Sequence, residues 1–287
     1  MEDNSAPLIL ISNDDGIFSR GLKVLVEAVQ SLGQVVVVAP DKPQSGKGHS
    51  ITLDLPLWYR PSHSFDPEVI AYKCTGSPAD CIKIGLYKIL HRRPDIILSG
   101  INHGSNSSIN QLYSGTMGAA LEGMLHDIPS VGFSILNFSS DADFTDVSDY
   151  VRLITSKVLE YKGKQPLCLN VNIPNPSEHP IMGVKVTRMS HAMWDEYYEE
   201  NIHPNNRKMY YWLCGKFINH EPEATDTDEY ALANGYISVC PVKIDYTDYA
   251  IKKELEDWDF QRQMVGMSSD LVNESINSSN CSRETIS

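Results

Sequence analysis

Residues 35–39 read Val-Val-Val-Val-Ala, a run with no polar position at which one face of a strand could meet water. A run of that kind and length belongs to a strand covered on both faces, as in parallel sheets whose crossover helices lie above and below. The surrounding segments agree. Residues 8–12, LILIS, form an earlier strand. Between the two lies GLKVLVEAVQSLG (21–33), whose Leu22, Leu25, Val26, Val29 and Leu32 recur at helical spacing, with Gly33 placed to close the helix. The alternation continues with a helix over 77–90, capped by Ser77 and followed by Pro78. Further strands are predicted at 95–100, 130–135 and 167–174, and further helices at 114–127 and 146–163. Repeated β-α-β units with right-handed crossovers predict an α/β fold: a Rossmann-like, mostly parallel sheet in a three-layer α/β/α sandwich.

Two regions break the alternation. Residues 51–60 and 68–74 read as a hairpin or sheet extension. From about residue 180 the pattern turns strand-rich, and residues 248–264 read as a terminal helix. The expected organisation is a single domain over 1–262, with 180–262 a β-rich extension suited to oligomer contact, and a polar Ser/Asn-rich tail over 263–287 expected to be disordered.

Composition narrows the function classes. The chain has 287 residues, 41% of them hydrophobic, and a formal net charge of −13. Such acidity disfavours nucleic-acid polymers and anionic membranes, which attract Lys and Arg. It leaves room for a small phosphorylated substrate if a metal bridges the charges. The six cysteines form no CxxC pair. The N-terminus lacks the basic and apolar regions of a signal peptide, and no apolar run reaches membrane length. A cytoplasmic protein with reduced thiols is expected.

Ligands of open parallel sheets bind outside the carboxyl ends of the strands. The first strand is followed by Asn13-Asp14-Asp15-Gly16, the second by Pro40-Asp41-Lys42-Pro43-Gln44-Ser45-Gly46, the third by Gly100-Ile101-Asn102-His103-Gly104-Ser105-Asn106. These are small oxygen-bearing side chains, hard ligands suited to Mg²⁺ or Mn²⁺. Two adjacent carboxylates repel each other unless a dication joins them. Asp14 and Asp15 would supply the charge, and Ser45 and Asn102 neutral oxygens. Tyr113-Ser114-Gly115-Thr116 opens the helix over 114–127, and a helix start rich in hydroxyls and glycine favours anions. Asn106, Ser114, Gly115 and Thr116 are the candidate phosphate-binding residues, and Asp14, Asp15, Asn106 and Ser114 the candidate catalytic set. Together they read as phosphomonoester hydrolysis.

Each signal alone is weak. Asp-Asp-Gly is by itself an ordinary turn. Gly115 and Gly118 alone indicate close helix packing. His103 is either a loop histidine without a role or a proton donor to the leaving oxygen. Cys74 and Cys81 read as packed small residues. A Gly-x-Gly-x-x-Gly after the first strand is missing, which disfavours a dinucleotide-dependent oxidoreductase.

The ordered blocks SNDDG, APDKPQSGKGHSIT, TGSPADCIKIGL, SGINHGSN and YSGTMGAALEG resemble those of the SurE family of 5′/3′-nucleotidases, over about residues 8 to 175. The resemblance implies a Rossmann-like core and one divalent cation per subunit, Mg²⁺ or Mn²⁺, on Asp14, Asp15, Ser45 and Asn102. It implies hydrolysis of nucleoside monophosphates, with 3′-nucleotides and short polyphosphate as further substrates. It also implies a homodimer or homotetramer that exchanges C-terminal elements. An acidic family residue near the active site matches Asp228 or, alternatively, Asp226. Where the family often has Asn-Leu-Gly, this chain has Asn106-Ser107-Ser108. A non-catalytic nucleotide or phosphate sensor on the same fold is the alternative. Whether water or an Asp attacks phosphorus stays open.

Overall fold

In the computed structural model, residues 6–258 and 260 are described, apart from 140, 164, 166 and 179. The expected tail over 263–287 lies outside them. Two compact units are distinguished, Met1–Val242 and Lys243–Ser287.

The first unit is built on a nine-stranded sheet. Its strands are β1 (Leu8–Ser12), β2 (Gln34–Pro40), β3 (Tyr59–Pro61), β4 (Ile70–Cys74), β5 (Ile96–His103), β6 (Ser130–Ile135), β7 (Cys168–Ile173), β8 (Gly183–Val186) and β11 (Tyr236–Pro241). The order across the sheet is β3-β4-β2-β1-β5-β6-β7-β11-β8. From β4 to β7 every pairing is parallel. The chain steps outward from β1 through β2 to β4, then returns to β5 on the other side of β1 and proceeds through β6 to β7. The direction of winding therefore reverses between β1 and β5, the place where such sheets open a crevice.

Helices cover both faces. α1 (Arg20–Val29) packs with α5 (Val147–Leu159) on one face, and α2 (Pro78–Ile84) packs with α4 (Gly115–Leu125) on the other. Side chains alternate across the strands, so β1 sends Ile9 and Ile11 into one core with Leu22, Leu25 and Val26, and Leu8 and Leu10 into the other with Ile82 and Ala119. Val35 to Ala39 are all 3% exposed or less, as a strand covered on both faces requires.

Several boundaries differ from expectation for local reasons. α1 ends at Val29 with Gln30 as cap, short of Gly33, because the Leu32 N–H folds back onto the Val29 carbonyl (2.8 Å) and turns the chain into β2. The helix expected over 77–90 stops at Ile84 and widens into a π-turn over Gly85–Ile89. The predicted hairpin is present as β3 and β4, paired antiparallel, but residues 51–58 contribute no strand to it.

The strand-rich region after residue 180 does two different things. β11 joins the main sheet antiparallel to β7, and β8 adds beyond it, parallel to β11. β9 (Ala192–Ile202) and β10 (Met209–Asn219) instead form a separate antiparallel ribbon of eleven residues per strand. α6 (Asp228–Ala233) lies between β10 and β11, with the Thr227 hydroxyl as cap. In the second unit, α7 (Tyr249–Glu256) starts at Asp248, whose carboxylate accepts from the Ala250 and Ile251 N–H groups.

Candidate active site

The loop after β1 is held before any ligand arrives. The Asn13 amide donates to the Gly16 carbonyl (3.1 Å) and to the Ser19 hydroxyl (2.7 Å), which also caps α1. Gly16 has φ +95°, a left-handed turn in which an L side chain is strained. Asp14 and Asp15 are thereby presented at the β1–β5 reversal. The loop after β2 is tied to them. The Gln44 N–H donates to the Asp14 carbonyl (2.7 Å), and the Gly48 N–H to the Tyr113 carbonyl (3.0 Å), which brings Ser45 over the same crevice.

β5 delivers the third edge. Its register against β6 shifts between Ser99 and Asn102, and a bulge of this kind re-aims the side chains that follow. The Asn102 amide group donates to the Gly104 carbonyl (2.8 Å), so its oxygen is the end left for a ligand. Asn106 is fixed from three sides. Its amide donates to the Ser134 hydroxyl (2.7 Å), its backbone N–H to Asn172 Oδ1 (2.8 Å), and its carbonyl accepts from the Asn170 amide (2.8 Å).

Asp14, Ser45, Asn102, Asn106 and Ser114 line one cavity of about 610 Å³. Asp14 is only 4% exposed and has no cationic partner among the described residues. Burial pushes its carboxyl up to about 6, with the Asp15 charge adding to the rise and a hydrogen bond from Thr116 opposing it. Asp15 turns differently. Its Oδ2 accepts from both the His103 N–H (3.2 Å) and His103 Nδ1 (3.0 Å), and it does not reach the cavity wall. His103 does line the cavity, with its Nε2 buried and, among the described residues, without a hydrogen bond.

At the start of α4 the expected division of labour changes. Ser114 lines the cavity, caps the helix by accepting from the Met117 N–H (3.0 Å), and keeps its own proton to donate. The Thr116 hydroxyl, expected to grip phosphate, is fully buried and donates to Asp14 Oδ1 (2.6 Å) instead. Gly115 also serves Asp14: a Cβ there would sit 2.8 Å from the Asp14 Cβ, so only glycine lets the helix come this close.

Three residues that sequence reasoning did not single out belong here. Trp194 and Phe217, facing each other across the ribbon at 5.5 Å between ring centroids, line the cavity, and the Trp194 indole N–H donates to Asn110 Oδ1 (2.7 Å). Glu229 is the third, on the cavity wall and hydrogen-bonded to the Ser107 hydroxyl (2.5 Å). Asp228, one of the two matches for the family's acidic residue, is buried as a clamp that accepts from the N–H groups of Ser108 (2.7 Å) and Ser190 (2.9 Å). Asp226, the other, pairs with Arg188 at the surface. Ser108 has φ +50°, the conformation that a glycine fills without strain, and its hydroxyl donates to the Ser190 carbonyl (2.9 Å).

Among the described residues no group of three His, Cys, Asp or Glu could hold a metal ion. The donor set is instead two adjacent carboxylates with neutral amide and hydroxyl oxygens, the hard and partial coordination that Mg²⁺ accepts while keeping waters. An unpaired buried carboxylate flanked by a second one is the local charge that such a cation would balance.

Comparison with known proteins places this geometry. The family model described as survival protein SurE matches residues 9–196. A protein of Cytophaga hutchinsonii named 5′-nucleotidase SurE is 48% identical over 258 residues, covering 89% of this chain and 98% of its own length. One of the same name from Christiangramia forsetii is 48% identical, over 88% of this chain and 96% of its own. The crystal structure of the SurE protein from Aquifex aeolicus superposes with a TM-score of 0.74 at 38% identity, over 88% of this chain and all of that one.

Proposed function

The chain belongs to the survival protein SurE family, and on that premise we propose that it is a 5′-nucleotidase, a phosphomonoesterase that converts nucleoside monophosphates to nucleoside and phosphate. The observation that carries the reading is Asp14: a buried carboxylate without a cationic partner among the described residues, on the wall of a cavity that Ser45, Asn102, Asn106 and Ser114 also line with neutral polar groups. Two relatives named 5′-nucleotidase support it over nearly the whole chain.

Asp14, Ser45 and Asn102, which line the cavity, fit a divalent cation, Mg²⁺ or Mn²⁺, and Asp15, whose Oδ2 is engaged by His103 outside that lining, would complete the set by turning towards it. Bound there, it would supply positive charge to the phosphate and acidify a water. The protein's own groups do the rest. Asn106, locked by Ser134, Asn170 and Asn172, presents a fixed amide edge to a phosphate oxygen. Ser114 and the first N–H groups of α4 face the same anion, with the helix dipole in support. Donors fixed in advance cost no reorganisation as charge develops on the phosphoryl oxygens. Thr116 and Gly115 position Asp14, and His103 positions Asp15. The edge-to-face aromatic pair Trp194 and Phe217 offers apolar ring surface for a base.

Hydrolysis of 3′-nucleotides and short polyphosphate belongs to the same proposal, as does a homodimer or homotetramer built through the C-terminal strands. Phosphate release from a panel of 5′- and 3′-monophosphates and short polyphosphate, with Mg²⁺, Mn²⁺ or chelator, tests it. Metal-dependent release from 5′-monophosphates is expected. Thermal stabilisation by nucleotide without turnover would instead establish the sensor alternative.

A further inference from the structure

We propose that Glu229, steered by Ser107, is a specificity-determining residue that reads the vicinal hydroxyls of the ribose, so that the site favours ribonucleotides over 2′-deoxyribonucleotides. This rests on the nucleotidase reading above.

Glu229 is a half-buried carboxylate on the cavity wall with no cationic partner among the described residues. Oε1 accepts the Ser107 proton (2.5 Å), and no hydrogen bond to Oε2 is present among the described residues. Burial raises its carboxyl pKa, the Asp228 charge raises it further, and the Ser107 bond works against both. An ionised carboxylate accepts hydrogen bonds only, so its partner must be a donor. The phosphate is excluded by its like charge. What remains on a nucleoside monophosphate is the sugar hydroxyls and the N–H groups of a base.

Chain geometry favours the sugar. Ser107 directly follows Asn106, which faces the phosphate, and consecutive Cα atoms are about 3.8 Å apart. That is the scale of the step from a 5′-phosphate to the ribose of the same nucleotide. The base is provided for elsewhere, by the rings of Trp194 and Phe217. The Ser107 hydroxyl is itself held in place, since its backbone N–H donates to Ser105 Oγ (3.1 Å) and the two hydroxyls lie 2.5 Å apart. The carboxylate therefore stands on a built support. Two hydroxyls on adjacent carbons match its two-oxygen edge, and loss of one leaves an acceptor unpaired in a partly dry site.

The test is the ratio of kcat/KM for a ribonucleoside 5′-monophosphate to that for its 2′-deoxy analogue, measured on the full chain with Mn²⁺ and on Glu229→Gln and Glu229→Leu. The wild type should favour the ribonucleotide by about tenfold or more. Both variants should bring the ratio towards one, through KM for the ribonucleotide more than through kcat. A wild-type ratio near one, or a ratio unchanged in both variants, overturns the inference while leaving the nucleotidase reading intact. Absence of phosphate release from any monoester overturns that reading and this inference with it.

Discussion

Asp14 sits in surroundings that oppose its own charge. Raised from 3.8 to about 6, its carboxyl binds a proton more tightly folded than unfolded. Its contribution to stability is therefore greatest at acid pH and is lost as pH rises through about 6, leaving a penalty at neutral pH on the order of 3 kcal/mol in the metal-free protein. Asp14→Asn keeps the shape and the acceptor for Thr116 but removes the charge. Metal-free Asp14→Asn should melt about 3–6 °C higher than the metal-free wild type; a lower midpoint in calorimetry would contradict the account of the buried charge. Thr116→Val removes the side-chain hydroxyl that, among the described residues, donates to the Asp14 carboxylate. It should lower kcat/KM by about tenfold or more, because a displaced Asp14 misplaces everything bound to it. At this scale the sequence was informative at the carboxyl ends of strands and in the loops that leave them: Asp14, Ser45, Asn102 and Asn106 all lie there, and all meet in the cavity. It was silent on Glu229, which enters through α6, far along the chain, and reaches the site through tertiary contacts such as those of Asp228 with Ser108 and of Glu229 with Ser107.

Among the elements, α4 does most to join the two loops to the sheet, and Glu122 is its anchor. Its carboxylate is 2% exposed, accepts from the Lys83 ammonium of α2 (2.6 Å), and lies 2.9 Å from His49 of the loop that carries Ser45. Burial alone would raise its pKa, but the His49 and Lys83 bonds and charges outweigh it and hold it at about 2. A depressed carboxyl contributes stability above its unfolded value of 4.5 and loses it as pH falls towards 2, here on the order of 3 kcal/mol. Glu122→Gln should thus lower stability at pH 7 by about 1–3 kcal/mol in denaturant titrations and flatten the acid side of the stability profile; an unchanged profile below pH 4.5 would show that the anchor contributes nothing. Within the strand-rich region, β9 carries no alternating pattern for a physical reason. AMWDEYYEENI mixes acids and aromatics on both faces, and with Tyr197, Tyr198 and Ile202 all exposed there is no one-sided burial to impose an alternating pattern.

For the whole molecule, what the buried runs dictated is what formed. A continuous apolar β2 demanded cover on both faces, and the parallel strands β4 to β7 lie between the α1–α5 and α2–α4 layers. The winding reversal between β1 and β5 then gathers Asp14, Ser45, Asn102 and Asn106 around one cavity. The ribbon lay beyond that logic because its side chains stay largely exposed, and no burial on one face patterns them. Tyr211, Trp212 and Leu213 are each more than half exposed, and an apolar patch of this kind marks a contact surface. Light scattering should find a dimer or tetramer, and Trp212→Asp with Leu213→Asp should shift it to monomer; a wild-type monomer at all concentrations would contradict the assembly. The central claim is that Asp14 holds the metal on which hydrolysis depends. Its most direct test is kcat/KM for a nucleoside 5′-monophosphate in wild type and Asp14→Asn, each stripped by chelator and then titrated with Mn²⁺. The account predicts activity in the wild type only after metal is returned, and a loss of at least about a hundredfold in the folded variant at saturating metal. Wild-type activity that survives chelation, or a variant within tenfold of the wild type, would contradict it.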